Sequence, residues 1–273
     1  MSDPVAAPSV PPAAGSPRPA RLPRVLGGFV LDLSVSVVVL LAGTAAVMLG
    51  WGMWRALAVT RELGATDAAT LGRAVGEPGA LAQMLAAIVG MSAAAALLYF
   101  WRRPATAADR RLSFEAACRR GTWSLAAFAG VLVFAGSSLA SWLLTLAGAD
   151  AVPSNLALVD EAARRWPVFL VLFAVVLAPC YEELLFRRVL FGRFLDAGRP
   201  WLGIVLSSAA FALMHEVPGL SANPPLAVAM LLVVYAGMGA VFAWLYWRTG
   251  TLWASIGAHA INNGIVLLVH GLA

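Results

Sequence analysis

The chain of 273 residues is 61% hydrophobic and only 12% charged, with a mean hydropathy of +0.82. A soluble domain usually carries about 25% charge, so a well-solvated globular surface is excluded and a polytopic membrane protein is implied. The net charge of +5 and the pI near 10.0 do not point to nucleic acid: all 19 basic residues are arginines, gathered at the ends of apolar runs as topology signals are.

Residues 1–24 (MSDPVAAPSVPPAAGSPRPARLPR) are rich in Pro, Ala and Ser and lack apolar residues enough to bury, which predicts a disordered tail. The tail is not a signal peptide, because the apolar run after Arg24 is long enough to remain in the membrane as a first span. Spans of about 20 apolar residues then fall at 29–52, 79–101, 122–147, 166–186, 201–217, 225–247 and 250–270. An eighth could lie in the weakly amphipathic stretch 55–76, which reads as a loop. No strand-like alternation and no solenoid repeat appears. The expected fold is all-α, a polytopic transmembrane bundle of about seven to eight spans. The two cysteines, Cys118 in a connecting segment and Cys180 in a span, imply no disulfide framework.

The arginines orient this bundle. With the N-terminus cytoplasmic, Arg18, Arg21, Arg24, Arg102, Arg103, Arg110, Arg111, Arg119, Arg120, Arg187, Arg188, Arg193, Arg199 and Arg248 lie inside. That is 14 of the 19, and the bias predicts a multi-pass protein of the cell membrane with a cytoplasmic N-terminus.

Polar groups inside spans are informative in proportion to their cost. Asp32 lies near the start of the first span and can snorkel or pair with Arg24. Gln83, Ser92, Ser137, Ser138 and Ser141 can bond to helix carbonyls or across helices. None of these needs a special role. The stretch CYEELLFRR, residues 180–188, is different: an acidic side chain at the centre of a membrane helix costs roughly 2.5–3.5 kcal/mol, and here two are adjacent, Glu182 and Glu183. Arg187, four residues after Glu183, has the spacing of an intrahelical ion pair, which leaves Glu182 turned toward the bundle interior. Taken alone, the stretch could be two interfacial glutamates paired with basic neighbours.

Two later spans argue against that. One reads SSAAFALMH and ends at His215, with Phe211 one turn earlier. The last reads ASIGAHAINN and places His259 and Asn263 at i and i+4 on one face. Glutamates and histidines on three spans form a buried polar set whose members can partner one another. A carboxylate and an imidazole on facing helices can hold and deprotonate a water. A second imidazole and an amide one turn apart can donate to an oxyanion. The same groups also suit a zinc site formed by Glu182, His215 and His259 with an open position for water. Either route gives amide hydrolysis, and no GxSxG or HExxH pattern offers another.

These residues resemble the CAAX protease and bacteriocin-processing (CPBP, or Abi) family. APCYEELLFRR is similar to its EExxxR motif, FALMH to its FxxxH motif and HAINN to its HxxxN motif, in the same order over about residues 166–270. The resemblance implies a catalytic helix core at 166–273, with accessory transmembrane helices at 25–165. It implies an intramembrane endopeptidase related to Rce-type prenyl proteases, acting on a membrane-associated protein or peptide in the bilayer. Carried over by position, Glu182 and His215 would activate water and Glu183 would support them, held by Arg187. Phe211 belongs to the second motif, and His259 and Asn263 would stabilise the oxyanion. The resemblance leaves open whether a divalent metal such as Zn²⁺ takes part or whether water is activated by Glu and His alone. A bacterial origin fits the all-arginine usage, so the family name need not describe the substrate.

Two other classes compete: a non-catalytic scaffold or bacteriocin self-immunity protein, and an ion-coupled transporter. An intact polar set would be costly to keep idle, and a transporter should show broken helices in two related halves, of which no internal symmetry is visible. One expectation is internally discordant. On ideal spans Glu182 lies roughly 6 Å and His215 roughly 21 Å above the cytoplasmic edge, at about 1.5 Å per residue.

Overall fold

A computed structural model describes residues 21–64, 67–146, 148 and 151–271. Among them there are helices and no strands. Helix α1 spans Leu22–Leu63, α2 Ala68–Val75, α3 Ala80–Arg102, α4 Ala107–Ala117, α5 Arg120–Leu146 and α6 Leu156–Arg165. A long composite helix, α7, covers Pro167–Asp196, followed by α8 (Pro200–His215), α9 (Pro225–Thr249) and α10 (Leu252–Val266). Six of these are long and apolar enough to cross a membrane, and α8 is a shorter apolar helix. The chain is therefore a multi-pass helical membrane protein, and its seven apolar helices fall on the seven expected spans.

Three boundaries differ from the sequence reading. The tail expected at 1–24 lies mostly outside the described residues, but Leu22, Pro23 and Arg24 already belong to α1, where Pro23 suits the first helical turn. The stretch 55–76 is not a loop. Helix α1 continues to Leu63 because RALAVTREL contains good helix formers and no breaker before Gly64, whose φ of 80° ends it. Residues 68–75 form α2, whose N-cap Asp67 accepts hydrogen bonds from the backbone N–H of Ala69 and Thr70.

The third difference concerns α7, which runs ten residues beyond its expected end at 186. Arg187 read as an interfacial charge, yet its side chain is wholly buried against Glu183, so the membrane helix passes through it. This removes the discordance in depth. Glu182 stands roughly 20 Å along α7 from the turn at 197–199, and His215 about 22 Å along α8 from the same turn, at about 1.5 Å per residue. The two are level.

Helix α7 is central. Tyr181, Leu185, Phe186, Val189, Leu190 and Phe194 carry its apolar surface into a core shared with α1, α3 and α8. Its last turns reach connections rich in arginine, where Asp32 of α1 is wholly buried between Arg102 (Nε to Oδ1 2.7 Å) and Arg193. The expected partner Arg24 is not the one used. Arg24 is exposed on the first turn of α1, while Arg102 and Arg193 converge on Asp32 from the ends of α3 and α7. Close helix approach fixes the far side: a Cβ on Gly130 of α5 would lie 2.6 Å from the carbonyl oxygen of Ala258 in α10.

Candidate active site

Helix α7 is not uniformly α-helical. Leu172–Leu177 and Leu184–Phe191 are π-helical, flanking an α-helical segment Ala178–Glu183 that carries both glutamates. Pro179 gives a physical cause for the first widening, since its ring opposes the carbonyl four residues back and it has no N–H to donate. In that π register the Ala178 N–H bonds to the Phe173 carbonyl, and the Ala174 carbonyl would need an N–H at position 179 that proline lacks. Asn263 of α10 supplies it instead: its Nδ2 donates to Ala174 O at 2.8 Å. The Asn263 Oδ1 in turn accepts from Asn262 Nδ2 at 3.0 Å. Asn263 thus docks α10 onto the break in α7.

Glu183 lies at the centre of a closed ion cluster. Arg187 Nε stands 2.9 Å from its Oε2, an ion pair in which the N–H is not aimed along the contact, and Nη2 donates to Oε1 at 3.5 Å. His259 Nδ1 donates to Oε1 at 2.9 Å, the proton being assigned to Nδ1 because the carboxylate can only accept. The Arg187 guanidinium lies among Phe211 (4.9 Å to the ring centre), Phe186 and Phe242 (5.8 Å each). Three π faces thus stand in for partners its buried nitrogens lack.

Glu182 is disposed differently. Its Oε2 is buried and makes no hydrogen bond within the protein. It faces His215 Nε2 at 3.7 Å and His259 Nε2 at 3.9 Å, too long for direct hydrogen bonds. The His215 Nδ1–H donates to the Phe211 carbonyl at 2.9 Å, so Nε2 carries the free lone pair. A water of ordinary hydrogen-bond length to each can rest beside the Glu182 Oε2–His215 Nε2 line. The structure therefore brings together, from α7, α8 and α10, Glu182, Glu183, His215 and His259 with Arg187 and Phe211, while Asn263 stands one turn beyond His259 on α10. Asn263 is placed through Ala174 and not directly on Glu182.

The metal alternative can be tested on these donors. Tetrahedral zinc with bonds of about 2.0–2.1 Å sets its ligand atoms about 3.3–3.4 Å apart. The observed 3.7 and 3.9 Å are wider, and among the described residues no group of three or more His, Cys, Asp or Glu is arranged to hold a metal. As placed, the set does not fit a metal, and no step below runs through one.

Two aromatic residues of the site escaped the sequence reading. Phe242 stacks on His259 (4.9 Å between centres, 19°) and Tyr235 on His215 (4.7 Å, 29°), both from α9. An aromatic residue in an apolar span carries no signal that separates it from ordinary packing.

Residues 164–265 match the family model described as type II CAAX prenyl endopeptidase Rce1-like. The chain is 30% identical over 153 residues to the membrane-embedded CAAX protease MroQ of Staphylococcus aureus (strain USA300), covering 54% of this chain and 56% of that protein. It is 25% identical over 147 residues to the putative membrane peptidase YdiL of Bacillus subtilis (strain 168), covering 54% of this chain and 55% of that one. The chain thus spans about half the length of the curated relatives it matches. No solved structure matches it.

Proposed function

We propose, from the premise that residues 164–265 belong to the type II CAAX prenyl endopeptidase Rce1-like family, that this chain is an intramembrane endopeptidase cutting a membrane-associated protein or peptide with a Glu/His-activated water. The observation that carries the reading is the unpartnered, buried Oε2 of Glu182 facing the free Nε2 of His215.

A water between them gives one hydrogen to Glu182 Oε2 and the other to His215 Nε2, which leaves a lone pair for the scissile carbonyl carbon. As the C–O bond forms, Glu182 takes the proton and the carbonyl electrons move to oxygen. Protonated His259, held by Glu183 through Nδ1, presents Nε2–H to that oxyanion. Asn263 has one Nδ2 hydrogen on Ala174 and a second to offer as the other donor. Collapse breaks the C–N bond, and Glu182 returns its proton to the leaving amine. The Glu183–Arg187 pair fixes the His259 ring through its Nδ1–H and takes no proton. The cytoplasmic placement of the N-terminus belongs to this reading, on the arginine bias. It is checked by labelling single cysteines near Arg110 and Arg193 from the cytoplasm and near Asp160 from outside; reversed labelling would invert it.

The decisive experiment compares the termini of membrane proteins in cells holding the wild-type chain or Glu182→Gln. New termini dependent on the wild type are expected. Identical sets of termini would overturn the reading in favour of a non-catalytic scaffold.

A further inference from the structure

We infer that Tyr235 is a positioning residue for His215, an inference that rests on the function proposed above. His215 is the last residue of α8, so no following helical turn confines its side chain. The next residues, 216–224, form a connection before α9. A water-binding imidazole in such a place needs to be held by something else.

Two orthogonal restraints do so. The bond from Nδ1 to the Phe211 carbonyl fixes rotation of the imidazole within its own plane. The plane itself is held by contact with two rings: Phe211, with centres 4.3 Å apart and 36° between planes, and Tyr235, at 4.7 Å and 29°. Phe211 in turn carries the Arg187 guanidinium. Arg187, Phe211, His215 and Tyr235 form one continuous column from the Glu183 cluster to α9. Of these four residues Tyr235 is the one from an element with no motif residue, and its ring ties His215 to the neighbouring helix. Removal of Tyr235 opens space into which the imidazole can tilt, carrying Nε2 away from Glu182. The stacking face does this work and the phenol hydroxyl does not, so phenylalanine should serve as well as tyrosine.

Two readouts test this. The first is kinetic, with a quenched-fluorescence peptide spanning a cleavage site found by the terminal proteomics, on detergent-purified protein. Tyr235→Leu should lower kcat roughly 10- to 100-fold with KM little changed, the size of a displaced catalytic group. Tyr235→Phe should retain about half of wild-type kcat or more, and the melting temperatures should agree within a few degrees. Should Tyr235→Leu fail to fold, Tyr235→Met is judged by the same measures. A leucine variant keeping more than about a third of wild-type kcat, a phenylalanine variant as impaired as leucine, or a loss confined to KM would each overturn the inference.

The second readout needs no substrate. The chain has three histidines, so ¹⁵N spectra of the imidazoles are simple enough to assign with His215→Gln. His215 should show a single Nδ1-protonated tautomer in the wild type and Tyr235→Phe, and mixed tautomers in Tyr235→Leu. A single unchanged tautomer in Tyr235→Leu would overturn the inference. If wild type and Glu182→Gln yield the same termini, the proposed function fails, while this spectral comparison still decides the role of Tyr235.

Discussion

Asp32 and Glu183 are both wholly buried acids paired with arginine, yet their surroundings differ in kind. The partners of Asp32, Arg102 and Arg193, keep 25% and 17% of their side-chain surface exposed. They come from the ends of α3 and α7 and reach in from an interface. The partner of Glu183, Arg187, is itself wholly buried, and the third member, His259, is 4% exposed. An interfacial arginine that loses its acid can turn to water. A guanidinium caged by three phenylalanines cannot. The first cluster fastens α1 to the ends of α3 and α7; the second joins α7 to α10 beside Glu182. Burial of the acid alone would not have told them apart.

The largest effect should come just outside the second cluster. Glu182→Gln and His215→Ala should each abolish cleavage while leaving the protein inserted, and Glu182→Gln should leave the melting temperature nearly unchanged, since Glu182 Oε2 has no partner in the protein to lose. Activity above about a tenth of wild type in either purified variant would remove it from the chemistry.

Next in size is the direct contrast. Glu183→Gln strands Arg187, and breaking a buried pair from one side costs about 3–5 kcal/mol, so a large drop in thermal stability with partial loss of activity is expected. Asp32→Asn should cost clearly less, because its arginines can rehydrate, and activity per folded molecule should stay at the wild-type level. Equal destabilisation by the two variants, read as melting temperatures in the same detergent, would dissolve the distinction.

How much of this was legible follows from the same physics. Ionisable side chains in apolar spans stand out because they are costly, so Glu182, Glu183, His215 and His259 could be found by composition, and Asn263 by its spacing one turn beyond His259. The same rule misplaced the end of α7: Arg187 has the charge of an interfacial residue, and only its partner shows that it is inside. Helix α1 outran its span because helix propensity in 55–63 does not depend on hydropathy. Tyr235 was invisible, because an aromatic residue in a membrane span ordinarily packs against lipid or neighbours.

A smaller and more specific test concerns Asn263, which serves both chemistry and architecture. Asn263→Ala should lower turnover roughly 100- to 1,000-fold through loss of an oxyanion donor. It should also lower stability, by about 1–3 kcal/mol for a carbonyl left without this partner, because Pro179 has no N–H to offer Ala174 O in place of Asn263. Pro179→Ala restores a backbone N–H at the break in α7. In the Asn263→Ala background it should recover part of the stability and none of the activity. Additive losses in the double variant would show that Ala174 does not couple the two positions.

The smallest effect lies at the third arginine–carboxylate contact, where exposure goes further. Arg188 Nη2 meets Asp109 Oδ2 at 3.2 Å, with 46% of the Asp109 side chain exposed. Asp109 also closes the capping box of α4: the Thr106 N–H donates to its carboxylate, and the Asp109 N–H donates to Thr106 Oγ1. The Thr106 N–H is the main cause holding the Asp109 carboxyl below its ordinary value; slight burial opposes it, and the Thr106 hydroxyl and the Arg188 charge add to it. A carboxyl depressed in the folded state contributes stability that is complete above its unfolded value, about 4, and lost as pH falls through the lower folded value. Hydrogen exchange of amides 107–110 in detergent should therefore show protection at neutral pH that fades below about pH 4 in the wild type. In Asp109→Asn the same amides should be less protected at neutral pH and insensitive to acid. The change should stay within α4 and leave cleavage untouched, because an exposed pair can exchange its partner for water as the Glu183 cluster cannot. Wild-type protection that persists at pH 3, or an asparagine variant with the same acid response, would show that α4 is held by its packing and not by its cap.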